Sequence, residues 1–130
     1  MTKTAINPFT WVEIYVDDMN RARAFYESVL QIELVEMHAP EGMGEMQMLS
    51  FSWVEGASNI SGALVKMADF KPGPGGTLVY FACADCATEI ARVEAAGGKI
   101  LQPKIPISEY GFCAIGMDTE GNTIGFHSMK

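Results

Sequence analysis

A chain of 130 residues is the size of one ordinary domain and can bury a single core without staples. Its 48% apolar and 19% charged residues exclude a disordered or fibrous chain, and a net charge of −7 argues against nucleic acid or an anionic membrane as partner. Three cysteines without framework spacing, no apolar leader ahead of Glu13, Asp17 and Asp18, and no uncharged run longer than residues 72–84 lead us to expect a reduced, cytoplasmic protein without a membrane span.

Val12, Ile14 and Val16 alternate with Trp11, Glu13 and Tyr15, the period-two pattern of a strand with two different faces. Asp17-Asp18 offers an N-cap, and Ala22, Phe25, Tyr26, Val29 and Leu30 follow at helical spacing. Three more strands are expected at about 32–37, 45–54 and 59–66. Met37, Met43, Met46 and Met48, with His38, surround Pro40-Glu41-Gly42; these thioethers suit either an adaptable pocket or a strand-face core beside a loop. Residues 69–76, Asp-Phe-Lys-Pro-Gly-Pro-Gly-Gly, form a linker whose Pro and Gly forbid regular structure.

The order then repeats. Thr77 to Cys83 reads as an apolar strand, Asp85 as a second N-cap, and Ile90, Val93 and Ala96 as one helix face stopped by Gly97-Gly98. Strands are expected at about 99–102, 111–117 and 122–128, the last two joined by a turn at Asp118-Thr119-Glu120-Gly121-Asn122. Residues 103–111, with Lys104 and Glu109, read as a connection, its charges either part of a pocket mouth or, more plainly, solvated. A shift of 67 residues places Val12 on Val79, Asp18 on Asp85, Ala24 on Ala91, Glu27 on Glu94 and Leu34 on Leu101. Asn59-Ile60-Ser61-Gly62 likewise echoes Asn122-Thr123-Ile124-Gly125. We read a tandem βαβββ duplication in one α+β domain: module one about 8–68, linker 69–76, module two about 77–129. A ferredoxin-like sandwich is the alternative. Cys83-Ala84-Asp85-Cys86 matches C-x-x-C between a strand and a helix, but strand parity assigns Cys83 to the core.

Three stretches carry a family resemblance. Asp18 with Arg21-Ala22-Arg23-Ala24-Phe25-Tyr26 resembles a D-x-x-R-A-x-x-F-Y opening; Ala95-Ala96-Gly97-Gly98-Lys99 resembles the end of a second helix; and Asp118-Thr119-Glu120-Gly121-Asn122-Thr123-Ile124-Gly125 resembles a D-P-x-G-N-x-I hairpin. In this order they resemble the vicinal oxygen chelate superfamily (glyoxalase, bleomycin resistance protein, extradiol dioxygenase) over about residues 8–128. The resemblance implies cup-shaped mixed sheets, a ligand site between the modules, and a homodimer, with cups in some relatives completed across the subunit interface. It also implies His, Gln or Glu metal ligands at four cup-facing positions, seven residues before each N-cap Asp and on the last strand of each module. Those positions map here to Trp11, Leu78, Gly62 and Gly125, none of which is a metal donor, so neither a metal nor a cofactor is expected.

Residues two apart share a strand face. Trp11 therefore brings Glu13 and Tyr15 to the cup, Leu78 brings Tyr80, and Gly125 brings Thr123 and His127, while Val12, Ile14, Val16, Ile124 and Phe126 face helices. The expected ligand-binding set is Trp11, Glu13, Tyr15, Gly62, Leu78, Tyr80, Gly125 and His127, aromatic-walled and suited to a flat or cationic small organic molecule. Glu13 and His127 are the catalytic candidates as an acid–base pair; a mutually satisfied buried pair or an edge histidine is the plainer account. The expected function is metal-free binding of such a molecule, as in the bleomycin-resistance branch. The alternatives are a glyoxalase-like lyase or isomerase, with Glu13 and His127 or a relocated metal, and a non-catalytic dimeric interaction protein.

Overall fold

The computed structural model describes residues 9–41, 44–75 and 77–130. Pro8 at the start of module one, Gly42 and Met43 of the Met-rich stretch, and Gly76 of the linker lie outside the described residues. Module one comprises β1 (Val12–Tyr15), α1 (Met19–Leu30), β2 (Val35–Met37), β3 (Gln47–Ser50) and β4 (Gly62–Lys66). Module two comprises β5 (Val79–Ala82), α2 (Cys86–Arg92), β6 (Lys99–Pro106), a 3-10 turn (Ser108–Tyr110), β7 (Phe112–Met117) and β8 (Thr123–Ser128). Two four-stranded mixed sheets result, ordered β1-β4-β3-β2 and β5-β8-β7-β6, each with its first strand parallel to its last. This is the α+β architecture that the duplicated pattern implies.

The helices begin where the caps predict. Asp18 accepts from Arg21 N at 3.0 Å and Asp85 from Ala87 N at 3.0 Å, each satisfying an amide that the helix itself leaves unpaired. α1 buries Ala22, Phe25, Tyr26 and Val29, spaced to form one stripe. α2 is shorter than expected: it stops at Arg92, and turns carry the chain to Gly97, whose φ of 101° suits glycine. Residues 103–106, expected in a connection, instead extend β6. β6 is a sheet edge with shifted register around residues 100–105, so Pro103 costs no ladder hydrogen bond that an interior strand would need. Lys104 pairs with Asp85 at 2.8 Å and lies over the Phe112 ring.

One face of each sheet feeds a single shared core. Ile14, Leu49 and Leu64 of the first sheet meet Ala114, Ile124 and Phe126 of the second around Phe25, Tyr26, Ile90 and Val93 of the helical segments. Each large buried side chain contributes about 1.5–3 kcal/mol of hydrophobic stabilisation. A polar clasp completes the junction. Tyr26 donates to buried Asp118 at 2.6 Å, Asn122 Nδ2 donates to the Tyr15 carbonyl at 2.9 Å, and Arg92 donates to the Val29 carbonyl at 2.9 Å. Glu120 accepts from Asp17 N and Asp18 N at 2.9 Å each and from Arg21 Nε at 2.7 Å. The β7–β8 turn is therefore the fastener between modules. Among the described residues, no helix is long and apolar enough to cross a membrane.

Candidate functional site

Strand register sorts the site residues by face. Val12, Ile14 and Val16 belong to or pack against the core, so Trp11, Glu13 and Tyr15 lie on the opposite, open face of the first sheet. The pairings carry that face sideways in two rows, Glu13–Ala63–Ser50–Val35 and Tyr15–Val65–Met48–Met37. On the second sheet Val79, Phe81, Ile124 and Phe126 are core, and the open face carries Tyr80–Gly125–Ile115–Gln102 and Ala82–His127–Cys113–Ile105, with Leu78 and Thr123 beyond.

Gly62 requires a correction. It pairs with Val12 and shares the core side with Leu64, so the open-face residue of β4 is Ala63. Val12 and Val79 are equivalent in the two modules, and Val79 pairs with Ile124; the counterpart of Gly125 is thus Ala63. The resemblance between Asn59-Ile60-Ser61-Gly62 and Asn122-Thr123-Ile124-Gly125 was one residue out of register, and a one-residue slip exchanges the faces of a strand.

The enclosure also differs from expectation. Because the helix-bearing faces of both sheets share one core, the two open faces turn away from it rather than enclosing an interior within one chain. Trp11 is 37% exposed, Leu78 38% and Tyr80 50%. Glu13 and His127 lie on different sheets and have different hydrogen-bond partners, Trp11 and Tyr15 for the one and the Tyr110 carbonyl for the other.

At the first face, Trp11 Nε1 donates to one Glu13 oxygen at 3.2 Å and Tyr15 OH to the other at 3.1 Å. Burial, then the Glu13 carboxylate, raises the Tyr15 phenol above its ordinary pKa, so it stays a donor at neutral pH. Phe70, from the linker, stacks on Tyr15 with ring centroids 5.2 Å apart. Sequence reading missed Phe70, whose only signal was an aromatic within a Pro/Gly run; it missed Ala63 through the register slip. At the second face, a Cβ on Gly125 would collide with the Tyr80 ring, so the phenol lies flat over the bare backbone. His127 Nε2 lies 2.7 Å from the Tyr110 carbonyl, which can only accept; Nε2 therefore carries the hydrogen and Nδ1 is left open.

The strand positions that would hold a metal carry Trp11, Ala63, Leu78 and Gly125: an indole, a methyl, an alkyl chain and a backbone beneath a phenol ring. This set does not fit a metal. Among the described residues no three His, Cys, Asp or Glu side chains converge on a metal-sized point. The C-x-x-C pair is no better suited to redox work. Burial, with Glu89 nearby, pushes the Cys83 thiol up to about 12, and Cys86 is fully buried. A cavity of about 540 Å³ lies beside the start of α1 and is lined in part by Met37, His38, Met46 and Met48, of which Met48 and Met37 end the Tyr15 row of the first sheet.

Comparison with known proteins gives a family and a fold. Residues 8–126 match the model of the Glyoxalase/Bleomycin resistance protein/Dioxygenase superfamily. No curated protein matches the chain in sequence. Glyoxalase I from Zea mays is 19% identical with a TM-score of 0.68, the match covering 94% of this chain but 46% of that one, so this chain spans about half its length. TnmS3, an antibiotic binding protein from Streptomyces sp. CB03234, is 23% identical with a TM-score of 0.65 over 97% of this chain and 98% of that one. A glyoxalase-related enzyme from Fulvimarina pelagi is 15% identical with a TM-score of 0.67 over 95% and 88% of the two chains. At these identities the likeness concerns the fold alone.

Proposed function

Because the chain belongs to the glyoxalase/bleomycin resistance protein/dioxygenase superfamily yet carries no donor at the strand positions for a metal, we propose that it binds a small, flat, positively charged organic molecule without a metal. The observation that carries this reading is Glu13, half-buried, whose two oxygens are steadied by the half-buried Tyr15 and by the exposed Trp11 at the rim of a face whose middle is closed by Ala63, Val65 and Met48. A carboxylate has about four acceptor positions, so room remains for a ligand N–H or cation. Trp11 and the Tyr15–Phe70 stack supply aromatic faces, each worth about 0.5–2 kcal/mol to a cation placed over it. Antibiotic binding by a fold neighbour is in keeping with this reading. Each open face covers only one side of a ligand. The other side, with the Tyr80 ring over Gly125, is then supplied by a second copy in a homodimer.

Calorimetric titration with N-methylacridinium beside neutral acridine, at mildly alkaline pH, tests the proposal. The cation is expected to bind and to raise the melting temperature, and Glu13→Gln to weaken it about tenfold, or about 1.4 kcal/mol, without affecting acridine. Equal binding of both compounds, or of neither, overturns it. Turnover of a hemithioacetal on addition of Zn²⁺ or Ni²⁺ would instead favour the lyase reading.

A further inference from the structure

We propose that Asn122 of the second module is a positioning residue for the Glu13 face of the first: it holds Phe70 on Tyr15 and so sets the affinity of that face for a flat cation. The proposal rests on the ligand reading at Glu13. Asn122 lies in the β7–β8 turn, and its carboxamide joins three separate segments. Nδ2 donates to the Tyr15 carbonyl and to Asp118 Oδ2 at 2.9 Å each, and Oδ1 accepts from Gly73 N of the linker at 2.9 Å. These partners fix which way the amide points, because a carbonyl only accepts and a backbone N–H only donates. Its seat is held as well. Asn122 N donates to Asp118 Oδ1 at 2.8 Å, and Asp118 Oδ2 also accepts the Tyr26 hydroxyl at 2.6 Å.

Both outer partners are backbone groups that need one. β1 is a sheet edge, and Val16 N donates to Val65 O of β4 at 3.0 Å. The N–H and C=O of one trans peptide point opposite ways, so the Tyr15 carbonyl projects from the free edge, and Asn122 stands where a neighbouring strand would. In Pro72-Gly73-Pro74 Gly73 alone has an N–H, and Asn122 takes it. Among the described residues, the other polar side-chain tie of residues 69–75 is Lys71 with Asp17, at 3.9 Å between exposed groups, which holds little. Phe70 is three residues from Gly73, within about 11 Å of chain, so the tether limits where its ring can stand. That ring lies 5.2 Å from the Tyr15 ring and 27° from parallel to it, and Tyr15 in turn donates to Glu13. One carboxamide thus aligns the end of β1 with the linker that covers it.

Tyrosine ring NMR signals of the full chain, with Tyr15 assigned through Tyr15→Phe, and calorimetric titration with N-methylacridinium test this. Phe70 is 51% exposed, so Phe70→Leu removes its ring current from Tyr15 without touching the core. Asn122→Ala is expected to shift the Tyr15 signals in the same direction. Because Asn122→Ala also takes a donor from Asp118, Gly73→Pro is the second variant: it deletes the linker N–H alone, at a position where a Cβ meets nothing within 4 Å, and is expected to shift Tyr15 likewise. Gly73→Ala keeps the N–H and is expected to be silent. Phe70→Leu and Asn122→Ala should each weaken acridinium binding about three- to tenfold, and the double variant no further. A merely stabilising Asn122 would lower the melting temperature without that non-additivity. Unmoved Tyr15 signals in Asn122→Ala and Gly73→Pro, or additive losses in the double variant, overturn the role of Asn122. A wild type that binds no acridinium overturns the Glu13 reading instead, and the Tyr15 signals then still decide whether Asn122 places Phe70.

Discussion

Glu120 has no exposed side-chain surface, and burial alone would raise its pKa. The Arg21 fork, the Asp18 and Asp17 amides and the Thr119 hydroxyl outweigh burial and hold it at about 2, against an ordinary 4.5. A carboxyl depressed in the folded state stabilises fully above its unfolded pKa, and that contribution fades as pH falls from about 4.5 through about 2. We expect it to amount to about 2 kcal/mol after allowance for solvent around Arg21, which is 51% exposed. Urea melts of the wild type and Glu120→Gln between neutral pH and pH 2.5 check this. Glu120→Gln should be less stable at neutral pH, with the difference shrinking in acid; a constant difference would remove the linkage. In the sequence Glu120 was legible only as a turn residue, because nothing local announces that the β1–α1 junction of the other module supplies its donors. Glu13 was legible as an open-face residue, because period-two alternation is a local property of one strand.

At the scale of elements, α1 shows how much a local pattern can specify. Its cap, apolar stripe and extent all follow from residues within a few positions of one another. β6 and α2 were less legible. Whether Pro103 ends a strand depends on whether that strand is an edge, and strand order is a tertiary fact. β4 was misregistered because Gly62 matches Gly125 in type while Ala63 matches it in position. The contact between α1 and the β7–β8 turn can be tested through Tyr26, which is 1% exposed and donates to Asp118. Tyr26→Phe keeps the ring and deletes the hydroxyl, and is expected to cost about 1.5–3 kcal/mol, as befits a buried hydrogen bond to a charged acceptor. Because both modules share one core, melting should remain a single transition by fluorescence and circular dichroism. Two separated transitions would show that the modules are not fastened there.

For the molecule as a whole, the two open faces frame the expected assembly. Val35 is 59% exposed on the first and Tyr80 50% on the second. Analytical ultracentrifugation is expected to find twice the 14.2 kDa chain mass, and Val35→Glu to give a folded monomer that binds the acridinium at least about tenfold more weakly. A monomeric wild type binding the cation at full strength would exclude the shared pocket. The α+β class, the two repeats, the caps and the two-faced strands were legible in the chain alone, because each rests on periodicities of 2 and 3.6 residues or on contacts within a turn. Long-range packing set the rest: the open faces diverge, Ala63 rather than Gly62 lies on one of them, Phe70 returns to Tyr15, and Glu120 fastens the modules. Each of these depends on how distant segments meet, and the burial of a shared core selects that arrangement without leaving a local trace in the chain.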